Sequence, residues 1–556
     1  MNINKTIASI VITSILLSLP AIADTNNESN VEEIISITDI MRSHTKGEPA
    51  SFSVQDAIWS PGGSKLLIRY TSSPSQSEQV DDLYVMNADG TELNKIVSSK
   101  PIKSEGACIS SPMWSLTGDK IAFHLSQPRG ALLAVVNPDG TGLNAIGTGL
   151  SDVESILSSV SDFGWQRRLS WSPDGAKMAF EWEEKGGSTY IYVADADSSN
   201  LVKLYPDASN SDPVWSHDSR KIVFRTKSNL MSANVNGTGL TYLSNGTDGT
   251  KYGIKYPYYS WSPDDSKLLY LASTKEVDEE EQFGIFVVNA DGTKRIEIMS
   301  GAWIENPRWS PDGRNILFAL EVGENHELYT VDANGRNLIL LSKGRITQTS
   351  WSPDGGKIAF MSDHSLYTMN PDSTEKMMLA LTDFGEFVQS AAYAWNPSGD
   401  KIAFSSFVDP KTGKEVDFNT VYQNLDSYET SIFMSDSDGT ERVQLMRGGY
   451  NAIESWSPDG SRLLVKSFDE KMRPDDTVII KLSNTIPISI NPTPKPPMNA
   501  STQPGAKETP EETDTPVTET TVPAANTVKT PGFTSISSVI GLIVSIFYIY
   551  EHRRRV

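Results

Sequence analysis

The feature that most constrains the fold is a tryptophan that begins the same short segment nine times along the chain. Its clearest copy, Trp351–Phe360, has the sequence Trp-Ser-Pro-Asp-Gly-Gly-Lys-Ile-Ala-Phe. Pro and Asp favour a tight turn and Gly permits it, while the flanking residues have strand character. The tryptophans lie 42 to 61 residues apart, at Trp59, Trp114, Trp171, Trp215, Trp261, Trp309, Trp351, Trp395 and Trp456. A period of about 50 residues is typical of four-stranded propeller blades.

Each repeat supplies residues for four strands, which we call A, B, C and D in chain order. Strand A ends at the tryptophan, and strand B follows the turn, as in Lys357–Phe360. Strand C ends in an Asx-Gly turn, as in Phe286–Gly292, and a short apolar run such as Leu338–Leu341 gives strand D. The pattern predicts an all-β fold in which residues 46–485 form a single β-propeller of eight or nine four-stranded blades, because no Pro/Gly-rich linker divides it.

The repeat resembles that of TolB-like β-propellers, which are related to the WD-repeat family. The resemblance rests on the segment described above and on the later Tyr-x-Met-Asn-x-Asp-Gly strand, as at Tyr84–Gly90. It covers roughly residues 46 to 485 and implies a propeller fold. It specifies no function, because propellers host binding, scaffolding and catalysis alike.

The N-terminal residues have the pattern of an export sequence followed by a strand. Residues 1–23 contain one charge, an apolar run and a small-residue cleavage site that ends at Ala23, so we expect a signal peptide. An N-terminal membrane anchor is the alternative, but the run is short and contains Ser and Pro. Within the segment 24–45, residues 32–37 have strand character. We expect this strand to complete the last blade and close the ring.

The C-terminal residues predict a stalk and a membrane attachment. Residues 486–532 are rich in Pro, Thr and Glu, which favours an extended, disordered stalk. Residues 533–556 contain an apolar segment, expected to be a hydrophobic helix, and a basic tail. With Pro531, Gly532 and Phe533 before it, this arrangement resembles the C-terminal sorting signals of archaeal surface proteins. That resemblance implies cleavage near these residues and attachment of a membrane lipid; a permanent transmembrane tail is the alternative.

Charge and cysteine content limit the possible partners and the chemistry. The formal net charge of −22 argues against nucleic acid as a partner and suits an extracellular protein. The single Cys108 cannot form an intramolecular disulfide, so the ring must be held by packing and closure. In an exported protein, four sequons are possible glycosylation sites, at Asn27, Asn236, Asn245 and Asn499.

Loop lengths predict which face of the ring binds a ligand. In an antiparallel meander, the short A–B and C–D turns lie on one face, and the B–C and D–A connections, which vary in length, lie on the other. Three tryptophans outside the repeat fall in or beside the variable connections, at Trp165, Trp182 and Trp303. They are candidates for stacking on sugars or anchoring a protein partner. The alternative is that they pack over blade edges.

The sequence offers no catalytic constellation. The six histidines have no metal-type spacing and no nucleophile elbow is present, so we predict no catalytic residues, metal or cofactor. We therefore expect an exported, surface-tethered propeller that binds an envelope protein or glycan, with membrane attachment through the C-terminal segment or an added lipid. The alternative is an extracellular propeller hydrolase or lyase that acts on polysaccharide or peptide, because such sites are assembled from several blades.

Overall fold

The computed structural model describes most of the chain between residues 31 and 483. The described ranges are 31–45, 51–75, 78–100, 107–127, 130–153, 156, 165–184, 187–206, 213–226, 229–244, 258–277, 280–301, 303–323, 325–381, 392–413, 415–416, 420, 428–469 and 474–483. They all lie in one compact unit, residues 1–490. The predicted signal peptide, stalk and sorting segment lie outside the described residues.

The described residues form nine four-stranded antiparallel blades, at the upper end of the predicted range. Every A strand ends at its repeat tryptophan, as the spacing predicts. Blades 1 to 3 contain β2 (Ser51–Trp59), β3 (Lys65–Ser75), β4 (Glu78–Asn87) and β5 (Asn94–Ser98); β6 (Cys108–Trp114), β7 (Ile121–Gln127), β8 (Gly130–Val136) and β9 (Asn144–Ala145); β10 (Trp165–Trp171), β11 (Lys177–Glu183), β12 (Thr189–Asp195) and β13 (Val202–Pro206).

The middle blades follow the same order from the inner strand A to the outer strand D. Blades 4 to 6 contain β14 (Val214–Trp215), β15 (Lys221–Arg225), β16 (Leu230–Asn234) and β17 (Thr241–Tyr242); β18 (Tyr259–Trp261), β19 (Lys267–Val277), β20 (Glu280–Asn289) and β21 (Ile296–Gly301); β22 (Ile304–Trp309), β23 (Asn315–Val322), β24 (Asn325–Asp332) and β25 (Ile339–Gly344). Within each blade the strand order is that of a meander, so A–B turns lie opposite the B–C and D–A connections. Blades 2 and 3 are also joined into one sheet, because β10 pairs in parallel with β8.

The last three blades include the point of ring closure. They contain β26 (Ile346–Trp351), β27 (Ile358–Ser362), β28 (Ser365–Met369) and β29 (Met377–Leu381); β30 (Tyr393–Trp395), β31 (Lys401–Val408), β32 (Glu429–Asp436) and β33 (Val443–Arg447); β34 (Tyr450–Trp456), β35 (Arg462–Phe468), β36 (Pro474–Leu482) and, as the outer strand, β1 (Val31–Ser36). Strand β1 pairs antiparallel with β36. The predicted closure of the last blade by the N-terminal strand is therefore confirmed.

Helix α1 (Ile37–His44) directly follows the closing strand and fastens it to blade 1. The Ser36 hydroxyl caps the helix by accepting a hydrogen bond from Asp39 N, and it donates one to Asp476 of β36 at 3.0 Å. Ile37 and Met41 are fully buried in the core cluster of blade 1. The N-terminal segment therefore joins blades 9 and 1 through both a strand and a helix.

The A–B turns bring neighbouring blades into contact around the ring. In the turn of blade 7, Ser352 Oγ donates to Asp354 and accepts from Lys357 N at 2.9 Å. Gly355 has a φ of +75°, and a Cβ there would lie 3.5 Å from Pro311 of the preceding blade. The corresponding glycine of blade 1 would approach Pro458 of blade 9 at 3.4 Å. The turns thus pack head to tail across the closure as well.

The repeat tryptophans connect blades by hydrogen bonds. In six blades the indole Nε1 donates to the residue immediately before the tryptophan of the preceding blade. The acceptors are the carbonyls of Ile58 for Trp114, Ser170 for Trp215, Val214 for Trp261, Ser260 for Trp309 and Ala394 for Trp456, and the hydroxyl of Ser350 for Trp395, at 3.0 to 3.4 Å. The buried indole nitrogens of Trp59, Trp171 and Trp351 have no acceptor among the described residues.

Aromatic pairs pack the interior of the blades. A B-strand aromatic stacks on a C-strand aromatic in five blades, as Phe180–Tyr192, Tyr270–Phe286, Phe318–Tyr329, Phe360–Tyr367 and Phe404–Phe433. A cation in or directly before strand D covers several of these pairs, and Arg295, which precedes β21, lies 4.0 Å from the centre of the Phe286 ring. Such cation–π contacts tie the outer strand of a blade to its middle.

Candidate binding groove between blades 5 and 6

Two adjoining cavities form a groove between the inner strands of blades 5 and 6. The larger cavity has a volume of about 460 Å³ and the smaller about 170 Å³. Both are lined by Tyr258 and Asn306, so they adjoin at these two residues. The groove is bounded by residues 258–261 of blade 5 and 303–311 of blade 6, and we call it the blade 5/6 groove. It runs from the B–C/D–A face to the A–B turns.

A bulge in the inner strand of blade 6 borders the groove, and similar bulges occur in other inner strands, such as β6 between Ser110 and Met113. The pairing of β22 with β23 is interrupted between Glu305 and Arg308, where two residues, Asn306 and Pro307, lie opposite the single Phe318. Asn306 has a φ of +50°, which is uncommon for a residue other than glycine, and proline has no N–H to donate to a ladder. A bulge bends its strand and redirects side chains. Here it places Asn306 and Arg308 along the groove.

An aromatic mouth lies at the B–C/D–A end of the groove. Trp303, in the D–A connection, packs edge-on against Phe283, with ring centres 5.3 Å apart. The indole Nε1 of Trp303 donates to Glu305 Oε1 at 3.0 Å. Tyr258 is 42% exposed beside them. Two aromatic side chains with a fixed carboxylate can bind a ligand that presents a flat apolar face and, beside it, a hydroxyl or amide group.

The floor of this mouth is apolar because blade 5 carries no titratable residue directly after its B-strand aromatic residue. Leu271, which follows the B-strand aromatic Tyr270, lines the smaller cavity. Blades 1 to 4 and 9 carry a titratable residue at this position, whereas blades 5 to 8 do not. The two sets are Arg69, His124, Glu181, Arg225 and Lys466, and Leu271, Ala319, Met361 and Ser405. The groove therefore lies in the apolar half of the ring.

A histidine–aspartate pair lies at the other end of the groove. His217, from the A–B turn of blade 4, lines the larger cavity, and its Nδ1 lies 2.7 Å from Asp265 Oδ1 of blade 5. Asp265 also accepts from the backbone N–H groups of His217 and Asp218, both at 2.8 Å. It occupies the glycine position of the repeat turn with a φ of +57°. This contact fixes the imidazole and directs Nε2 away from the aspartate.

Three polar side chains along the groove have no protein partner among the residues that the structure describes. They are the Arg308 guanidinium, the Tyr258 hydroxyl and the Asn306 amide. Arg308 is exposed, so solvent satisfies it in the free protein. Polar groups that converge on a cavity without being used by the fold are the usual elements of ligand recognition. The blade 5/6 groove is therefore the strongest candidate binding site in the described structure.

Of the three tryptophans predicted to bind, the structure places only Trp303 in this groove. Trp182 is 7% exposed and packs against Tyr192 with ring centres 5.1 Å apart, which is the packing role that the sequence left open as the alternative. The backbone of Trp165 begins β10 and pairs with Glu183. Its side chain lies outside the described residues. The three residues are thus spread over blades 3 and 6.

The other predicted sites are placed as follows. Asn236 lies in an exposed C–D turn, where its Oδ1 accepts from Thr238 N and Oγ1 at 3.1 and 2.7 Å. Asn27, Asn245, Asn499, Ala23 and the Pro531–Phe533 segment lie outside the described residues. No group of three or more metal-ligating side chains occurs in the part of the chain that is described. That part also contains no helix with the length and hydrophobicity that a membrane crossing requires.

Comparison with known proteins supports the propeller assignment. Residues 255–433 match the family model described as a TolB β-propeller domain, so the chain contains a TolB-like propeller domain. A probable dipeptidyl-peptidase 5 from Aspergillus clavatus is 26% identical over 180 residues, which are 28% of this chain and 25% of that protein. The chain thus spans about a quarter of the length of this relative.

Solved structures match the chain at low identity and with TM-scores below 0.5. A eukaryotic initiation factor is 11% identical, with a TM-score of 0.47 over 72% of this chain and 91% of its own. An oligogalacturonate lyase from Vibrio parahaemolyticus is 12% identical, with a TM-score of 0.37 over 67% and 97%. TolB from Acinetobacter baumannii is 15% identical, with a TM-score of 0.27 over 54% and 75%.

Proposed function

We propose that this protein is an exported, surface-tethered β-propeller that binds an envelope protein or glycan through the blade 5/6 groove. The observation that carries the proposal is the set of unpartnered polar groups along the groove, next to the aromatic mouth formed by Tyr258, Trp303 and Phe283. The signal peptide, the stalk and the C-terminal attachment are expectations from the sequence. They would hold the ring outside the cell, with attachment to the membrane through residues 533–556 or an added lipid.

The location of the groove agrees with the loop argument from the sequence. Its mouth lies at a D–A connection and at the start of a C strand, on the face where loop lengths vary. Such faces carry function because loops tolerate change while the scaffold positions them. An aromatic anchor in a partly enclosed pocket is also the usual centre of a binding hot spot. These features favour a binding module over a purely structural subunit.

Affinity capture with matched variants tests the proposal. The full-length protein is immobilised and exposed to solubilised envelope from the source organism. We expect a discrete protein or glycan to be retained by the wild type and lost by the double variant Tyr258→Ala/Trp303→Ala. The control is Tyr242→Ala/Leu338→Ala, which truncates two exposed side chains on outer strands, at 55% and 46% exposure. Equal retention by the groove variant would contradict the proposal, provided that its thermal unfolding is unchanged.

The His217–Asp265 pair favours a second candidate function, that of a propeller hydrolase or lyase. An imidazole that is oriented by a carboxylate and faces a cavity can act as a general base. If this function holds, the purified protein should turn over an extracellular polysaccharide or peptide, and His217→Gln should reduce the rate about 100-fold or more. No turnover across such substrates, with and without divalent metals, would leave the binding function alone.

A further inference from the structure

Arg308 is exceptional among the nine blades. The residue directly before the repeat tryptophan is small or apolar in every other blade. Those residues are Ile58, Met113, Ser170, Val214, Ser260, Ser350, Ala394 and Ser455. In five blades the carbonyl at this position accepts the indole of the next blade, so the site belongs to the structural framework. A single arginine inserted into this series requires a reason beyond the fold.

The fold makes no use of the Arg308 charge. Among the described residues its guanidinium has neither an ion pair nor a hydrogen bond, although the chain carries a net charge of −22. The positive charge of Arg308 does act on one buried group, Tyr393. Burial raises the pKa of Tyr393 in blade 8 to about 12, and the Arg308 cation opposes that rise. An unpaired cation in a groove of an acidic protein is a local site for an anionic group.

The geometry of the groove disfavours an added peptide strand. Strand addition needs a continuous row of N–H and C=O groups on a sheet edge. The inner edge of blade 6 is interrupted at Asn306 by the bulge, and Pro307 has no N–H. The inner strand of blade 5 is only three residues long, Tyr259–Trp261. Recognition in this groove must therefore come from side chains rather than from main-chain pairing.

The side chains present match an acidic sugar. The flat rings of Tyr258 and Trp303 suit the apolar face of a sugar ring, and Asn306, Glu305 and the tyrosine hydroxyl suit its hydroxyl groups. A guanidinium binds a carboxylate through two parallel hydrogen bonds. We propose that the blade 5/6 groove binds an acidic glycan, with a sugar carboxylate held by Arg308 and a neighbouring ring stacked at Tyr258 and Trp303. This inference rests on the proposed binding function.

A comparison of charged and neutral glycans tests the inference. The full-length protein is applied to an array of uronate-containing oligosaccharides and to the same oligosaccharides after reduction of each carboxylate to an alcohol. We expect binding to the uronates only. Arg308→Gln should weaken it about 10- to 100-fold, because a charge-assisted bidentate contact is lost. Arg308→Lys should give an intermediate loss, since lysine keeps the charge but not the paired geometry.

The matched control is Arg314→Gln. Arg314 lies in the A–B turn of the same blade, outside the groove, and its side chain is 84% exposed. The Arg314→Gln variant should bind the uronates as the wild type does. Equal binding of the reduced oligosaccharides, or an unchanged affinity of Arg308→Gln, would overturn the acidic specificity while leaving the groove as a binding site. Retention of an envelope protein with no binding of any glycan would also overturn it and keep the proposed function. If the wild type binds nothing in either the glycan array or the affinity capture, both the acidic-glycan inference and the proposed binding function are overturned.

Discussion

At the scale of single residues, the repeat tryptophan has two roles, of which only one can be predicted from the sequence. Its packing role follows from its size and its recurrence. Its hydrogen bond to the preceding blade depends on the distance between neighbouring inner strands, and three of the nine indoles lack an acceptor among the described residues. The inter-blade bonds are therefore a property of the assembled ring.

Substituting two of these tryptophans separates packing from hydrogen bonding. Trp456 is 8% exposed and donates to the Ala394 carbonyl at 3.0 Å, whereas Trp351 is 9% exposed and has no acceptor. Both changes to Phe remove similar volume. We expect Trp456→Phe to lower the free energy of unfolding by about 1 kcal/mol more than Trp351→Phe, as measured by urea denaturation. An equal loss in both variants would mean that the indole bond contributes nothing.

His124, in strand B of blade 2, predicts a loss of stability in acid. Burial lowers its pKa to about 4, from an ordinary value of 6.5, and it remains neutral in the folded ring at neutral pH. Below pH 6.5 the unfolded chain takes up a proton that the folded chain does not, so stability falls as the pH drops from 6.5 to about 4. Urea midpoints at pH 7.5 and 4.5 should differ less for His124→Gln than for the wild type. If the two urea midpoints differ as much in His124→Gln as in the wild type, His124 does not contribute to the loss of stability in acid.

At the scale of elements, the sequence was sufficient for what repeats nine times and insufficient for what occurs once. The A-to-D order, the turns and the closing strand follow from local patterns that recur, and the structure confirms them. The groove is lined by the exposed Arg308, which is a departure from the repeat, and by Trp303 and Tyr258 in connections that vary between blades. Aligning the nine copies and asking where one differs would have identified Arg308, because no other blade has a charge before the tryptophan.

The candidate tryptophans lie in different environments for a physical reason. Trp182 and Trp303 are both outside the repeat, but one side chain points into a blade and the other lines the groove. Strand alternation places residues on either side of a sheet, and the side that is covered depends on the neighbouring blade. Residue type and loop position alone cannot distinguish these environments.

The closing strand β1 should act as a separable element of the ring. A chain that begins at residue 46 lacks β1 and α1 and exposes the edge of β36, so we expect a lower midpoint of thermal unfolding and more aggregation. A peptide of residues 24–45, added in trans, should restore the midpoint. A peptide with Ile35→Asp and Ile37→Asp is the control, because both side chains are buried. Restoration by the control peptide, or no effect of truncation, would contradict this role.

At the scale of the whole molecule, the ring is seen in the structure, whereas the signal peptide, the stalk and the C-terminal attachment are expected from the sequence. Mass spectrometry of the native protein tests those termini. We expect the mature chain to begin at Asp24 and to end near Pro531–Phe533 with a lipid attached. A C-terminus at Val556 would instead indicate the permanent transmembrane tail, and retention of residues 1–23 would contradict the predicted signal peptide.

The nine blades of the ring meet in pairs, and binding is proposed at the junction of blades 5 and 6. Hydrogen exchange of the full-length protein, measured with and without its captured envelope component, tests that assignment most directly. We predict slower exchange in residues 258–261 and 303–311, with little change in the other inner strands. Unchanged exchange in these two segments, together with protection elsewhere on the ring, would contradict the blade 5/6 groove as the binding site.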